Sequence, residues 1–219
     1  MMICPETFYE ENLKGKTESE IIKVIRTLKR KITKLKNIAE HPDYKCSIRP
    51  SEATQISCNR EYLERAKEAL AELGVKYEPS RSEIKTTEFE TNIPFIKKIV
   101  FDIGGYFDGY TKTTITIGEK IHKYVEHSLE PQPLPVADYD ENRSMTREEF
   151  LFEFSEIHIG EWRRKYDLHR FGYEVMDGTQ WSLEIYYSNE SKPVRIYGDN
   201  AYPYNFNRLK DLIDDCAGV

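Results

Sequence analysis

The chain has 219 residues, of which 39% are hydrophobic, and this content excludes a wholly disordered protein because it is enough to form a core. The net charge is −6, and no apolar run approaches the roughly 18–20 residues that cross a bilayer, so we expect no membrane segment. The first residues lack the basic and apolar stretches of a secretory signal, and the sequence therefore predicts a cytoplasmic protein.

The charge is unevenly distributed along the chain. Residues 11–50 hold 11 Lys and Arg against 5 Asp and Glu, whereas residues 137–219 hold 10 against 17. A basic front segment is compatible with nucleic-acid binding. Its cations are mostly Lys, are not interleaved with aromatic residues and carry no base-reading motif. We therefore favour a solvated helix face, and the sequence argues against a nucleic-acid partner.

Two helices are predicted in the first third of the chain. The first begins at the capping box Thr17–Glu20 and carries a heptad seam that ends before Pro42: Ile21, Ile25, Leu28, Ile32, Leu35 and Ala39. The second is predicted to begin at Asn59 and to end at Gly74, with an apolar stripe between them. The seam is short for a free-standing coiled coil, so packing of the two helices within one chain is favoured over dimerisation.

The hydrophobic period changes from that of a helix to that of a strand at residue 96. The predicted strands form a first group of three and a later hairpin of two: 96–103, 111–117, 120–125, 180–187 and 194–197. A glycine-rich turn over residues 104–109 joins the first two. The proline-rich acidic segment 131–142 is the best linker in the chain.

Two further helices are predicted beside these strands. One begins at the capping box Thr146–Glu149 and either continues through Trp162 and Tyr166 or is broken at Gly160, and the other is capped by Asn205. Strands in hairpins without βαβ alternation predict an α+β fold. We expect residues 1–85 to form an N-terminal helical segment, a two-helix hairpin, packed on a body over residues 86–219. The body should hold an antiparallel sheet of about five strands and the two further helices.

The sequence contains no motif that is typical of catalysis or of metal binding. It has no GxSxG, no HExxH and no CxxC, and its four cysteines are scattered, so reduced thiols are expected. We therefore expect no cofactor and no metal. We also favour, without settling it, a protein that is not an enzyme.

The most specific segment of the chain lies around the C-terminal hairpin. Residues 177–181 precede one predicted strand and residues 197–203 follow its partner, so an antiparallel pairing brings both segments to one end of the sheet. The candidate binding residues at this end are Asp177, Gln180, Asp199, Asn200 and Tyr202. Trp181 should lie on the face opposite Gln180. The alternative is a turn network with aromatic side chains covering the sheet edge.

Some of these segments resemble stretches of uncharacterised bacterial proteins. The resemblance rests on DGTQW at residues 177–181, on the NAYP-type segment at 200–203, and on residues 50–55 and 62–66. It covers most of the chain from about residue 50 onward. It implies a bacterial cytoplasmic protein, and it implies no activity, cofactor or catalytic residue.

Three functions remain open from the sequence. The first is a non-catalytic binding or protein-interaction module whose partner is another protein or a second copy of the chain, as the abundant aromatic residues and the heptad helix suggest. The second is a hydrolase with a site assembled from dispersed Asp, His and Tyr residues. The third is a nucleic-acid-associated accessory protein that uses the basic N-terminal helix.

Overall fold

The computed structural model describes residues 3–46, 49–107, 109–128, 145–174 and 177–216. The chain forms two compact units, unit 1 over Met1–Ser80 and unit 2 over Arg81–Val219. The predicted linker at residues 131–142 lies outside the described residues. No helix within the described ranges is both long enough and apolar enough to span a membrane.

Unit 1 contains three described helices, α1 (Pro5–Asn12), α2 (Glu18–Ala39) and α3 (Glu52–Glu72). The capping box predicted for α2 is present, and five of the six seam residues are buried: Ile21, Ile25, Leu28, Ile32 and Leu35. This apolar stripe packs α2 along α3 within the same chain. The predicted pairing of the two helices is therefore confirmed, although α1 adds a third helix that was not predicted.

The predicted start of the second helix, at Asn59, is wrong. The α3 helix begins at Glu52, where the Ser51 hydroxyl accepts a hydrogen bond from the Thr54 backbone N–H at 3.2 Å and so acts as the N-cap. Asn59 is instead buried within the helix, and its side-chain amide donates to the Gln55 carbonyl oxygen. Both residue types favour helix starts, and only the tertiary packing distinguishes the two positions.

Unit 2 is an α+β unit built on a six-stranded sheet. The described residues of this unit form three α-helices and six strands, in chain order α4 (Arg81–Asn92), β1 (Ile96–Gly105), β2 (Gly109–Ile117), β3 (Ile121–His127), α5 (Arg147–Glu156), β4 (Lys165–Asp167), β5 (Gln180–Tyr187), β6 (Val194–Asp199) and α6 (Phe206–Asp215). The strand order is β3-β2-β1-β5-β6-β4. Five strands pair antiparallel as predicted. The three-residue strand β4 was missed, and it pairs parallel to β6, so the sheet is mixed.

Of the two possibilities left open for α5, the continuation through Trp162 and Tyr166 does not occur. The helix ends at Glu156, and His158 adopts a left-handed backbone conformation with φ 55°. This turn brings Trp162 into the core, where its indole N–H donates to the buried side-chain oxygen of Asn205 at 3.0 Å. Asn205 precedes α6 as predicted, but its side chain joins α5 and α6 rather than capping the helix.

The two faces of the sheet differ in polarity. On one face, apolar side chains of the strands share a core with α5 and α6, including Phe101, Leu183, Phe150 and Leu209. The side chains that alternate with this core form the other face, which we call the polar face; its central residues are Lys98, Val100, Asp102, Tyr110, Lys112, Thr114, Gln180, Ser182, Glu184, Tyr186, Arg195, Tyr197 and Asp199. All of them are half-buried or exposed. The period-2 pattern therefore places two of the five candidate residues, Gln180 and Asp199, on this face.

Candidate functional site

A depression with a volume of about 280 Å³ lies on the polar face. Its lining comes from β1, β2, β4, β5 and β6: Asp102, Tyr110, Lys165, Tyr166, Gln180, Trp181, Ser182, Tyr197, Gly198 and Asp199. Asp102 pairs with Ser182, Ser182 pairs with Tyr197, and Tyr197 pairs with Lys165, so these four residues form one row across four neighbouring strands. The strand order of unit 2 creates this row.

Gly198 and Trp181 form a close contact beside the depression. A Cβ atom on Gly198 would lie 1.9 Å from the Trp181 Nε1, so no larger residue fits without movement of the indole. The indole is buried, and its N–H donates to the Ala201 carbonyl oxygen at 3.0 Å. Glycine at this position therefore lets the strand β6 pass directly over the indole.

Asp102 carries the most unusual polar atom of the depression. The carboxylate is half-buried, and its Oδ1 is shielded from solvent with no hydrogen-bond partner. Burial raises the pKa of this carboxyl above its ordinary value of 3.8, and the charge of Lys112 opposes that shift. A shielded acceptor without a donor lowers the stability of a folded protein, because the atom loses its hydrogen bonds to water and gains none in return.

The cations of the neighbouring strands face other carboxylates. Lys165 Nζ lies 3.1 Å from the Asp167 carboxylate, and Lys112 Nζ lies 3.9 Å from that of Glu126. Arg195 Nε lies 3.3 Å from the Glu184 carboxylate. Asp102 is within hydrogen-bond reach of none of these cations. Because its Oδ1 is shielded from solvent, a donor that enters the depression can reach this carboxylate only at its other oxygen.

The structure separates the five candidate residues predicted from the sequence. Gln180 and Asp199 line the depression, and the Gln180 side-chain oxygen accepts from the Tyr110 hydroxyl at 3.1 Å. Asp177 is exposed and lies outside the lining. Tyr202 lies on the core side of the sheet, with its ring centroid 4.9 Å from that of Phe206.

Asn200 takes part in a turn network at the end of β6. Its φ is 52°, its side-chain oxygen accepts from the Thr179 backbone N–H at 2.8 Å, and its side-chain amide donates to the Asp199 carboxylate at 2.8 Å. These contacts match the alternative stated for this segment, in which Asn200 shapes the turn. The Asn200 side chain therefore holds the Asp199 carboxylate by a hydrogen bond, and Asn200 is not one of the residues that line the depression.

Of the ten lining residues, only Gln180 and Asp199 were candidate binding residues, and the other eight include Asp102, Tyr110, Lys165 and Tyr197. The alternation of the strands was a signal that Asp102 lies opposite the core. It could not show that β1 lies next to β5, because about 75 residues separate the two strands in sequence. The pairing register alone brings Asp102 beside Ser182.

The lining supplies acceptors and aromatic rings. None of the residues around the depression is a histidine or a cysteine, and the described part of the chain contains no group of three or more side chains suited to a metal ion. Ser182 pairs with Asp102 on one side and with Tyr197 on the other in the register of the sheet. The arrangement is suited to binding a group that donates hydrogen bonds.

Comparison of the chain with family models, with curated proteins and with solved structures finds no match. The resemblance at residues 177–181 and 200–203 therefore stays a prediction.

Replacement of Asp102 is expected to stabilise the protein at neutral pH. Because burial raises the pKa of Asp102, the native state holds this proton more tightly than the unfolded chain, and stability falls as pH rises from about 3.8 through the raised pKa. Asp102→Asn should raise Tm at pH 7 by about 1–3 °C. This shift corresponds to an increase of roughly 0.5 kcal/mol in the free energy of unfolding, after allowance for solvent screening. Scanning calorimetry from pH 3 to pH 7 measures the difference, which should vanish at the acid end.

The exposed Glu119 provides the control for this substitution. Glu119→Gln makes the same chemical change at a turn and should leave Tm unchanged at every pH. A lower Tm for Asp102→Asn at pH 7 would show that an ion pair stabilises the Asp102 carboxylate.

Proposed function

We propose that unit 2 is a non-catalytic binding module that recognises a basic protein partner through its polar face. The observation that carries this proposal is the half-buried Asp102 carboxylate, unpartnered at Oδ1, in a depression between the exposed rings of Tyr110 and Tyr197. A bacterial cytoplasmic location is part of the proposal, because the resemblance at residues 177–181 and 200–203 implies it.

Exposed aromatic side chains support a protein interface at this end of the sheet. Tyr110 and Tyr197 are 37% and 48% exposed, although each lines the depression. Tyr106 and Phe107, at the tip of the β1–β2 hairpin, are 81% and 77% exposed. A Cβ atom on Gly105, next to this tip, would lie 3.1 Å from the Gly178 carbonyl oxygen, so the tip lies beside the start of β5. Tyrosine and phenylalanine are enriched at the centres of protein interfaces, where they act as anchors.

The charge of unit 2 favours a basic partner. Residues 81–219 hold 17 Lys and Arg against 25 Asp and Glu, a net charge of −8. An acidic surface attracts a basic protein over several ångströms and raises the rate of association. The same charge repels a phosphate backbone, which weighs against nucleic acid as the partner of this unit.

A photo-crosslinking experiment tests the proposal. p-Benzoylphenylalanine is placed at position 197 of the full chain in living cells, and a matched protein carries it at position 152. Phe152 is 63% exposed on α5, so it controls for exposure away from the polar face. We expect ultraviolet light to give a protein adduct from position 197 and none from position 152. The adduct should diminish as salt is added to a lysate, since its formation depends on charge.

A quantitative measurement with the purified partner completes the test. Tyr197→Ala should weaken its binding at least tenfold, as expected for loss of a buried anchor, whereas Phe152→Ala should leave the affinity unchanged. Equal adducts from positions 152 and 197, or equal affinities for both variants, would contradict a binding site on the polar face.

A further inference from the structure

We infer that the depression is a pocket for one cationic side chain of the partner, with arginine preferred to lysine. This inference rests on the proposed function, because it names the group that the polar face recognises. It assigns the recognition to one pocket and to one class of side chain, a cation.

The hydrogen-bonding groups of the depression favour a ligand that carries several donors. The Asp102 carboxylate has no donor, and its Oδ2 is the oxygen open to the depression because Oδ1 is shielded. The Asp199 carboxylate, which receives a hydrogen bond from the Asn200 amide, lies two strands away on β6, in the next row of the same face. The Ser182 hydroxyl lies in the row between β1 and β6. A guanidinium carries five N–H donors and no acceptor, so it can serve several of these oxygens together. A lysine ammonium offers three donors from a single nitrogen.

The charges around the depression favour a cation over an anion. Lys112, the cross-strand partner of Asp102, and Lys165 lie against Glu126 and Asp167. The lining therefore contains two carboxylates, Asp102 and Asp199, and one cation, Lys165. That cation already lies against the Asp167 carboxylate. An incoming anion would meet both carboxylates, whereas an incoming cation gains a charge-assisted hydrogen bond at Asp102.

The tyrosine rings that line the depression favour a guanidinium over an ammonium group. Tyr110 stands on β2 and Tyr197 on β6, three strands apart and two residues apart along the strands, so their backbones are roughly 16 Å apart at about 4.8 Å per strand and about 3.4 Å per residue. The floor between them holds Asp102, Ser182 and Gln180. A planar guanidinium stacks on the face of a tyrosine ring while its edge bonds a carboxylate, which an ammonium does less well. This geometry is the reason for the arginine preference.

Titration of the labelled full chain with small analogues tests the inference. The ligands are N-acetyl-arginine amide, N-acetyl-lysine amide and N-acetyl-citrulline amide, the last being a neutral isostere of arginine. Amide resonances of Asp102, Ser182 and Gly198 are followed by 15N–1H correlation spectroscopy. We expect saturating shifts of these resonances with the arginine analogue. The lysine analogue should bind at least threefold more weakly, and the citrulline analogue should give no saturation.

Two variants localise the binding. Asp102→Asn should weaken binding of the arginine analogue at least tenfold while the remainder of the spectrum stays that of a folded protein. Glu119→Gln removes a carboxylate at an exposed turn and should leave the affinity unchanged. Equal binding of the arginine and citrulline analogues, or unchanged binding by Asp102→Asn, overturns the cation pocket. Tighter binding of the lysine analogue overturns the arginine preference.

The outcomes separate this inference from the proposed function. If the arginine analogue does not bind but position 197 still crosslinks a protein, the cation pocket is wrong and the polar face remains the interface. If neither occurs, both proposals are wrong.

Discussion

Replacement of Leu28 by aspartate is expected to unfold the helices of unit 1. Leu28 is 6% exposed in the seam by which α2 packs on α3. The variant loses the packing of a leucine and places a carboxylate where water cannot reach it, so the combined cost is about 4 kcal/mol or more. Peptide-resolved hydrogen exchange of the full chain should show loss of protection over α2 and α3, and circular dichroism should show loss of helix.

Thr27→Asp provides a matched control for this change. It adds the same charge to the same helix one residue earlier, at an exposed position, and should change stability by no more than about 0.5 kcal/mol. The dimerisation alternative predicts a different result. A Leu28→Asp protein that stays folded and merely changes from dimer to monomer in sedimentation would show that the seam packs between chains.

Replacement of Gly198 by alanine should destabilise unit 2 by about 3 kcal/mol. The new methyl group would lie 1.9 Å from the Trp181 Nε1 and 2.1 Å from its Cε2. The indole cannot move aside, because it contacts the rings of Trp162, Tyr166, Tyr202 and Phe206 and donates to the Ala201 carbonyl. Overpacking of this kind typically costs about 1–3 kcal/mol, and displacement of the indole would add the loss of its hydrogen bond. Urea unfolding, followed by tryptophan fluorescence, measures the change.

A second glycine and a double substitution make this test specific. A Cβ on Gly118 would approach only the Lys120 carbonyl oxygen, at 3.7 Å, so Gly118→Ala should be neutral within about 0.5 kcal/mol. Trp181→Phe removes the indole atoms that clash, so the double variant should cost at least about 1 kcal/mol less than the sum of the two single variants. Additive costs would mean that Gly198 is needed for a reason other than the indole.

The candidate site was only partly accessible to sequence reasoning. The hairpin argument placed Gln180 and Asp199 together because both strands of an antiparallel pair are close in the chain. It grouped Tyr202 with them, although the chain crosses to the core side after Asn200 and the ring packs on Phe206. Asp102 and Lys165 could not be found in this way, since their neighbours in the sheet are distant in sequence.

The sequence by itself determined the elements whose signals are local. The capping boxes at Thr17 and Thr146, the seam of α2 and the period-2 strands all depend on residues within a few positions of one another, and each lies where the sequence predicts it. Tertiary structure decided the elements whose local signals were ambiguous or too short. The α3 helix begins after Ser51 rather than at the predicted Asn59, and β4 has only three residues, which is too few for a periodic pattern.

The site itself was decided by the same long-range pairing. A strand period determines which side chains share a face, but not which strands are neighbours, and the order of β1, β5 and β6 is what brings Asp102, Ser182 and Tyr197 into one row. The physical reason is that sheet order depends on how all the apolar faces are buried together against α5 and α6, which no short segment of the chain can specify.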